Sequence, residues 1–321
     1  MPDTPPRPTA VMPAMMYGTA WKKDRTADLV YEAIKAGFRG IDTAAMKRHY
    51  DEALVGEGIR RAIREGIVTR GDLFASPPSF DIQTKYTPLD DTFPMQHVEG
   101  EEGNLEDLIP SQIHQSITSS LNNLSTPSEP PYLDALILHS PFPTQAQTQL
   151  AWRCLQQYLP SSSSPDLAGK ILRLGISNAP LGSITALDPA PSIVQNRFHA
   201  VERRWDTQVR AWCRARREFD RAEAYYQAFW TLTANPDVWR GPDAKWFVRE
   251  LAQHAGVSPA AAWYVLLMDG AGLVVLNGTS NSTHMRDDLE ARAKVAAWAA
   301  TEEGREPWIR CVEGFKEMVW R

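Results

Sequence analysis

The segment Gly37-Phe38-Arg39-Gly40-Ile41-Asp42-Thr43-Ala44-Ala45 decides the fold, because Phe38 to Asp42 has the pattern of a strand that ends in a carboxylate. Tyr50 follows in a loop, and Val55-Gly56-Glu57-Gly58-Ile59 lies within a predicted amphipathic helix, Asp51 to Glu65. A carboxylate can hold a nearby ammonium charged, and that charge lowers the pKa of an adjacent tyrosine from about 10 toward the range of a general acid. The segment therefore predicts half of a proton-donating site, and the ammonium must come from elsewhere in the chain.

Short β-rich segments alternate with longer amphipathic segments over the whole chain. Apolar strands joined by helices are typical of parallel sheets that are covered on both faces. Because no linker divides the chain, the pattern predicts one α/β domain over residues 1–321, a closed (β/α)8 TIM barrel. Candidate strands are Phe38 to Asp42, a segment ending near Lys85, Leu133 to His139, Leu174 to Ser177, Ile193 to Asn196, Tyr226 to Trp230 and Val274 to Leu276. Candidate helices are Arg25 to Ala36, Asp51 to Glu65, Ser111 to Leu124, Gln145 to Tyr158, Asp206 to Arg217, Asp243 to Ala255 and Pro259 to Met268.

Several segments interrupt this alternation. Residues 1–10 are proline-rich and predicted to be disordered, while the acidic segment Asp90 to Pro110 and the serine-rich segment Ser161 to Pro165 are predicted surface loops. Two further segments, Ala75 to Phe80 and Glu218 to Glu223, have the character of insertions. They could belong to a specialised pocket, a divergent paralogue or an incorrect gene model. If the insertion Ala75 to Phe80 shifts the strand that follows it by one residue, Lys85 would point to the wrong face of that strand.

Composition narrows the class of partner. The 321 residues carry 34 Lys and Arg against 39 Asp and Glu, a formal net charge of −5. With no basic block, neither nucleic acid nor a membrane surface is expected as a partner. Cys154, Cys213 and Cys311 are odd in number and far apart, so no disulfide framework or metal site is predicted. We found no secretory signal and no apolar run of about 18 residues, and we expect a cytoplasmic protein.

Polar residues close several of the predicted strands. In a closed barrel the carboxyl ends of the strands share one pocket, so Asp42, Lys85 and His139 are expected to face it, with Tyr50 in the loop beside them. Each residue also has an ordinary structural explanation: a turn cap, a solvated lysine or a hydrogen-bonded core histidine. Their occurrence together favours a catalytic group in which Lys85 is the missing ammonium.

Beyond these four residues, the chain resembles the aldo-keto reductase family, in a form common in fungi. The resemblance depends on the order and spacing of segments that cover nearly the whole chain, since no single segment is very specific. The matching segments are Met15-Met16-Tyr17-Gly18-Thr19-Ala20-Trp21, Gly40-Ile41-Asp42-Thr43-Ala44, Gln83-Thr84-Lys85-Tyr86-Thr87-Pro88, Leu138-His139-Ser140-Pro141, Leu174-Gly175-Ile176-Ser177-Asn178, Val194-Gln195-Asn196, Phe229-Trp230-Thr231-Leu232 and Gly278-Thr279-Ser280-Asn281.

The resemblance implies a carbonyl reductase that uses NAD(P)H, with Asp42, Tyr50, Lys85 and His139 as its catalytic tetrad and Tyr50 as the proton donor. Lys47 stands where the shorter spacing of better-known members would place the tyrosine. We align Tyr50 instead, because it directly precedes Asp51-Glu52-Ala53. A lysine could replace the phenol only with a large drop in its pKa.

The same resemblance implies the cofactor contacts. Ser177, Asn178 and Gln195 would hold the nicotinamide carboxamide, and Phe229 would stack on the ring. The full implied set is Thr19, Ser177, Asn178, Gln195, Phe229, Trp230, Thr231, Leu232, Thr279, Ser280, Asn281, Met285 and Arg286.

NADPH is the expected cofactor, with NADH as the alternative. Gly278 and His284 stand where several relatives carry Lys and Arg, so Arg286 becomes the main candidate cation for the 2′-phosphate. The expected partner is a small carbonyl compound, bound by a monomer, with an oligomer left open. Substrate loops are predicted at Trp21 to Asp24, Asp90 to Pro110 and Trp308 to Trp320, whose aromatic residues suggest an apolar ligand. The competing hypothesis is a barrel without redox turnover: a binding partner, an isomerase or a dehydratase.

Overall fold

Eight parallel strands in the described part of the chain bond to their neighbours in sequence order and close into a barrel. The computed structural model describes residues 12–70, 81–88, 105–126, 130–200 and 204–320. The predicted (β/α)8 class is confirmed. The strands are β1 Met15–Gly18, β2 Gly40–Asp42, β3 Asp81–Tyr86, β4 Ala135–Leu138, β5 Leu174–Ser177, β6 Ile193–Arg197, β7 Tyr225–Phe229 and β8 Val274–Asn277.

Strand β1 was not among the predicted strands, yet it closes the barrel. Tyr17 pairs with Ile41 of β2, and Met16 pairs with Leu276 of β8. Its residues Met15 to Tyr17 are all buried, so the segment lacks the alternation of apolar and polar residues that marks a half-exposed strand. The closure places the carboxyl ends of all eight strands at one face of the barrel.

Helices surround the barrel over the described ranges. They are Thr26–Ala36, Glu52–Arg64, Leu105–Asn123, Gln145–Gln156, Leu181–Thr185, Thr207–Glu218, Pro236–Trp239, Trp246–Ala255, Pro259–Val265, Ser282–Ala299 and Glu302–Val319. Gly37 ends the first of these with φ 119°, a left-handed conformation that glycine adopts without strain, and so turns the chain into β2. None of the helices in these ranges has the length and apolar character needed to cross a bilayer.

Two predicted segments need correction. The helix Leu105–Asn123 begins six residues before the predicted helix start at Ser111, so it includes the end of the predicted loop Asp90 to Pro110, and Pro110 lies inside it. Residues 89–104 lie outside the described residues. The predicted substrate loop Trp308 to Trp320 is instead part of the helix Glu302–Val319, which packs outside the barrel through Phe315 against Trp263, 5.6 Å between ring centroids.

The helix Glu52–Arg64 fixes the position of Tyr50. Asp51 caps its start, with the side-chain oxygen accepting from the backbone N–H of Leu54 at 3.0 Å. Glu52 is buried and accepts hydrogen bonds from the Thr84 hydroxyl on β3 and the Ser120 hydroxyl. The residue before the cap is therefore held against the strand that carries Lys85.

At the amino-terminal ends of the strands lies an ionic cluster in which Arg70, Asp134 and Arg173 are buried and Glu223 is exposed. Arg70 donates to Asp134 at 2.7 Å, and Arg173 donates to Glu223 at 2.9 Å. Glu223 belongs to the predicted insertion Glu218 to Glu223, so part of that segment stabilises the base of the barrel. The other predicted insertion, Ala75 to Phe80, and the predicted disordered residues 1–10 lie outside the described residues. The predicted loop Ser161 to Pro165 is free of helix and strand, as expected.

Candidate active site

The carboxyl ends of the strands surround one cavity of about 1160 Å³. Asp42, Tyr50 and His139 line one part of its wall, and the start of the helix Ser282–Ala299 lines another, through His284. Four cavity residues other than glycine adopt left-handed backbone angles: Trp21 with φ 63°, Lys23 with φ 52°, Asn178 with φ 54° and Trp230 with φ 57°. Such angles are costly for side chains with a Cβ and cluster at functional sites.

Asp42 and Lys85 form a buried ion pair. Lys85 Nζ lies 2.7 Å from both carboxylate oxygens of Asp42 and 2.8 Å from the carbonyl oxygen of Thr43. Burial lowers the pKa of Lys85, and the Asp42 carboxylate opposes this by favouring the charged form. Since Lys85 points into the barrel, the segment before β3 has not turned it to the wrong face.

Tyr50 contacts Lys85 with the face of its ring, not with its hydroxyl group. Lys85 Nζ is 5.2 Å from the ring centroid, while its three protons are directed to Asp42 and Thr43. Burial raises the pKa of Tyr50 well above its usual value, and the Asp42 charge adds to the rise. The sequence predicts a lowered pKa, and the direction is opposite because burial and the Asp42 charge both raise the pKa of Tyr50. Tyr50 therefore holds its proton at neutral pH.

His139 completes the group with a neutral ring. It lies 6.2 Å from the Tyr50 ring, centroid to centroid, and its Nδ1 is 2.8 Å from the Thr87 hydroxyl. Burial lowers the pKa of His139 to about 3, with the Lys85 charge and His49 adding to the effect. A neutral imidazole carries one N–H, so His139 can donate a hydrogen bond to a carbonyl oxygen beside the protonated phenol of Tyr50.

His49, a cavity residue near the tetrad, was not predicted as functional, whereas its neighbour Trp21 belongs to a predicted substrate loop. His49 stacks on Trp21 with 3.9 Å between ring centroids, and both line the cavity. Lys47, the alternative to Tyr50, is exposed and is not part of the cavity wall. The geometry thus agrees with the choice of Tyr50. His49 carried no signal in the sequence beyond its place next to Tyr50.

Most of the residues implied as cofactor contacts line the cavity. These are Ser177, Asn178, Gln195, Phe229, Trp230, Thr231, Leu232, Thr279 and Ser280. The Gln195 amide nitrogen donates to Asp42 at 3.0 Å, which links this group directly to the tetrad. Arg197 lies over the Trp230 ring, 4.2 Å from its centroid.

Four other predicted contacts are not brought to the cavity wall. Thr19 is buried and its hydroxyl donates to the Asp42 carbonyl at 3.0 Å, and Asn281 caps the helix Ser282–Ala299. Met285 is fully buried in the apolar core. Arg286 is exposed on the same helix. For Met285 and Arg286, helix periodicity explains the difference, since residues that adjoin in sequence point to different sides of a helix.

Positive charge reaches the cavity from the loop after β1. Lys22, Lys23 and Arg25 all line it. The Lys22 ammonium donates to the carbonyl oxygen of Gly278, across the seam between β1 and β8. Burial, together with the charge of Arg25, lowers the pKa of Lys22.

The protein is therefore an α/β barrel with a buried Asp–Lys pair, a tyrosine and a histidine grouped at one end of the barrel. The family model for the aldo/keto reductase family matches residues 14–220, and the chain belongs to that family.

Relatives of known activity match over a short stretch. An NAD(P)H-dependent pentose reductase of Pyricularia oryzae is 54% identical over 65 residues, 20% of this chain and 19% of the relative. An NAD(P)H-dependent D-xylose reductase of Pachysolen tannophilus is 49% identical over 63 residues, again 20% and 19%. The matched stretch thus spans about a fifth of the length of these relatives.

Solved structures match over nearly the whole chain at low identity. An aldo-keto reductase from a deep-sea metagenome library has a TM-score of 0.67 at 16% identity, covering 98% of this chain and 96% of that one. A Bombyx mori aldo-keto reductase in complex with NADP has a TM-score of 0.65 at 19% identity, covering 96% and 93%. These likenesses support the fold.

Proposed function

We propose that this protein reduces an aldehyde or a ketone to an alcohol with NAD(P)H, taking a hydride from the nicotinamide and a proton from Tyr50. One observation carries the proposal: the buried Asp42–Lys85 pair lies beneath the Tyr50 ring, with neutral His139 beside it, at the wall of the large cavity. The relatives named as NAD(P)H-dependent sugar reductases support the same chemistry, and sugars with an aldehyde group are candidate substrates.

The cavity residues fit a nicotinamide dinucleotide. The Gln195 amide oxygen is available to accept from a carboxamide, since the nitrogen of that amide is bonded to Asp42. The Phe229 ring offers a flat apolar surface, and Lys23 and Arg25 offer positive charge for phosphate. A bound reduced nicotinamide would supply the hydride. NADPH is the proposed cofactor, with NADH as the alternative.

The tetrad would manage the proton and the developing negative charge. Tyr50, with its raised pKa, holds the proton that the product alkoxide needs. The buried Lys85 charge lies under the same ring and stabilises the phenolate that forms as the proton leaves. His139, neutral at physiological pH, can orient the carbonyl oxygen.

Purified protein, NADPH and a carbonyl panel that includes D-xylose and an aromatic aldehyde test the proposal. NADPH absorbance should fall, and Tyr50→Phe should abolish the turnover while NADPH still binds. Tyr31→Phe is the matched control, since the Tyr31 hydroxyl bonds Glu65 on the outer helices. Wild-type protein that binds NADPH but turns over no member of the panel would contradict the proposed reduction.

The second candidate is a barrel without redox turnover, which binds its ligand or reuses the same groups for proton transfer. One observation favours it: the Lys85 ammonium donates its hydrogen bonds to Asp42 and Thr43 and none to the Tyr50 hydroxyl. Tight cofactor binding with no oxidation across the panel would support this candidate.

A further inference from the structure

Three glutamine side chains from different strands meet inside the barrel beside Asp42. Gln83 lies on β3, Gln195 on β6 and Gln227 on β7, and all three are buried. Asp42 pairs with Gln83 in the strand register, and Gln195 pairs with Gln227, so the four side chains reach one level of the barrel. The tetrad does not include Gln83 or Gln227, and neither had been predicted as functional.

Asp42 fixes which way two of these amides point. Lys85 donates to both of its oxygens, so Asp42 is a carboxylate that accepts hydrogen bonds and donates none. Its Oδ1 lies 2.6 Å from Gln83 Nε2 and 3.0 Å from Gln195 Nε2. Both glutamines must therefore turn their nitrogen toward Asp42.

Gln227 joins the two amides into a closed circuit. Its Oε1 accepts from Gln83 Nε2 at 2.8 Å and from Gln195 Nε2 at 2.9 Å. Its own Nε2 donates to Gln83 Oε1 at 2.8 Å and otherwise faces the sulfur atoms of Met12 and Met16, which are weak acceptors. Rotation of a single amide would place two NH2 groups or two oxygens against each other, away from water, where no other partner is available.

The circuit leaves one strong acceptor at the cavity. Both protons of Gln195 Nε2 are directed inward, to Asp42 and to Gln227. Gln195 is the member of the three that lines the cavity, and its Oε1 accepts no hydrogen bond from the described residues. The wall at this point can accept an N–H but cannot donate one.

We propose that Gln83 and Gln227 are positioning residues that lock Gln195 as an obligate hydrogen-bond acceptor, so that the cavity selects a ligand with a carboxamide over the same ligand with a carboxylate. The inference rests on the proposed function, since it takes the ligand to be a nicotinamide dinucleotide. A carboxylate would face the Gln195 oxygen without a proton between them and would repel it.

Calorimetric binding of NADP+ and of its nicotinic acid analogue to the full chain tests the proposal. Wild type should bind the amide at least about tenfold more tightly, the scale of one unmade buried hydrogen bond. Gln227→Met keeps side-chain volume beside Met12 and Met16 but breaks the circuit, and the preference should fall to about twofold. Gln227→Glu should restore the preference, because burial beside Asp42 keeps that carboxyl protonated, with one oxygen to accept and one O–H to donate.

The outcomes separate this inference from the function on which it rests. Wild type that binds both forms equally would overturn the inference and leave the reductase proposal standing. Wild type that binds neither would overturn both. If Gln227→Met weakens both forms by one factor, the residue serves packing alone and the inference fails. Should Gln227→Met not fold, Gln83→Met breaks the same circuit from the other side and is expected to give the same loss of preference.

Discussion

The Lys85 ammonium lies over the face of the Tyr50 ring, 5.2 Å from its centroid, and makes no hydrogen bond to the Tyr50 hydroxyl among the described contacts. A cation over an aromatic ring is attracted by the electron density of that face. The same charge can favour the phenolate electrostatically without a direct hydrogen bond. The ion pair with Asp42 holds the ammonium in this place, so the pair serves both the fold and the proposed chemistry.

Lys85→Met should lower the free energy of unfolding by about 3–5 kcal/mol, because it leaves the Asp42 carboxylate buried without its counter-ion. Urea unfolding at neutral pH measures the loss. The double variant Asp42→Asn/Lys85→Met should recover much of it, since no charge then remains buried. A double variant less stable than Lys85→Met would contradict the ion-pair explanation.

The His139 ring should make stability fall at acid pH. Its pKa is lowered from about 6.5 to about 3 by burial, Lys85 and His49, so the unfolded state binds the proton first as pH falls. The His139 contribution is therefore complete above about pH 6.5 and is lost progressively toward pH 3. In His139→Asn, the midpoint of unfolding should depend less on pH over this range. An unchanged slope in the variant would show that other groups cause the fall.

Asp81 should have the opposite dependence. It is buried, its two oxygens have no hydrogen-bond partner in the described residues, and burial with the nearby Asp134 charge raises its pKa to about 8. The folded state then binds a proton that the unfolded state has lost, so stability falls as pH rises from about 4 to 8. Asp81→Asn, which needs no proton, should be more stable than wild type at pH 9. Equal unfolding midpoints at that pH would rule out a buried, protonated Asp81.

The choice between NADPH and NADH should depend on the loop after β1. Lys23 and Arg25 line the cavity, whereas Arg286 does not. Lys23→Ala and Arg25→Ala should raise the Michaelis constant for NADPH by about tenfold and that for NADH much less, because a charged contact to the 2′-phosphate is lost. Arg286→Ala is the matched control on the helix Ser282–Ala299. If Arg286→Ala raises the Michaelis constant for NADPH more than Lys23→Ala and Arg25→Ala do, then Arg286 contacts the 2′-phosphate, as the sequence predicts.

Local pattern was enough to predict the barrel and to single out the four residues proposed as the tetrad. Apolar strands alternating with helices indicate the architecture, and a polar residue at the end of an apolar strand marks the shared face, as for Asp42, Lys85 and His139. The glutamine circuit is different, since Gln83 and Gln227 are 144 residues apart. Strand alternation puts Gln83 on the same side as Lys85 and Gln227 on the same side as Phe229, which was the available signal.

Errors arose where sequence could not distinguish one side of a helix from another. Met285 and Arg286 adjoin residues that line the cavity, but one is buried in the core and the other is exposed. The aromatic residues of Trp308 to Trp320 predict a pocket loop, but most of this segment lies in the helix Glu302–Val319, where Phe315 packs against Trp263. The sign of the Tyr50 pKa shift also depends on burial, which requires the folded structure.

The Asp51 cap has a consequence for how this site tolerates change. Tyr50 is held by the helix that follows it, through the cap at Asp51 and the bonds from Glu52 to Thr84 and Ser120, and not by its distance along the chain from Asp42. The segment between them is itself folded, with the Ala45 N–H bonded to the Lys85 carbonyl and the Tyr50 N–H bonded to the Met46 carbonyl. A change in its length can therefore be absorbed in the turn at residues 46–49, while the helix keeps the phenol beside Lys85. The tyrosine in a related sequence is therefore better located by counting back from the start of this helix than by counting forward from the aspartate at the end of β2.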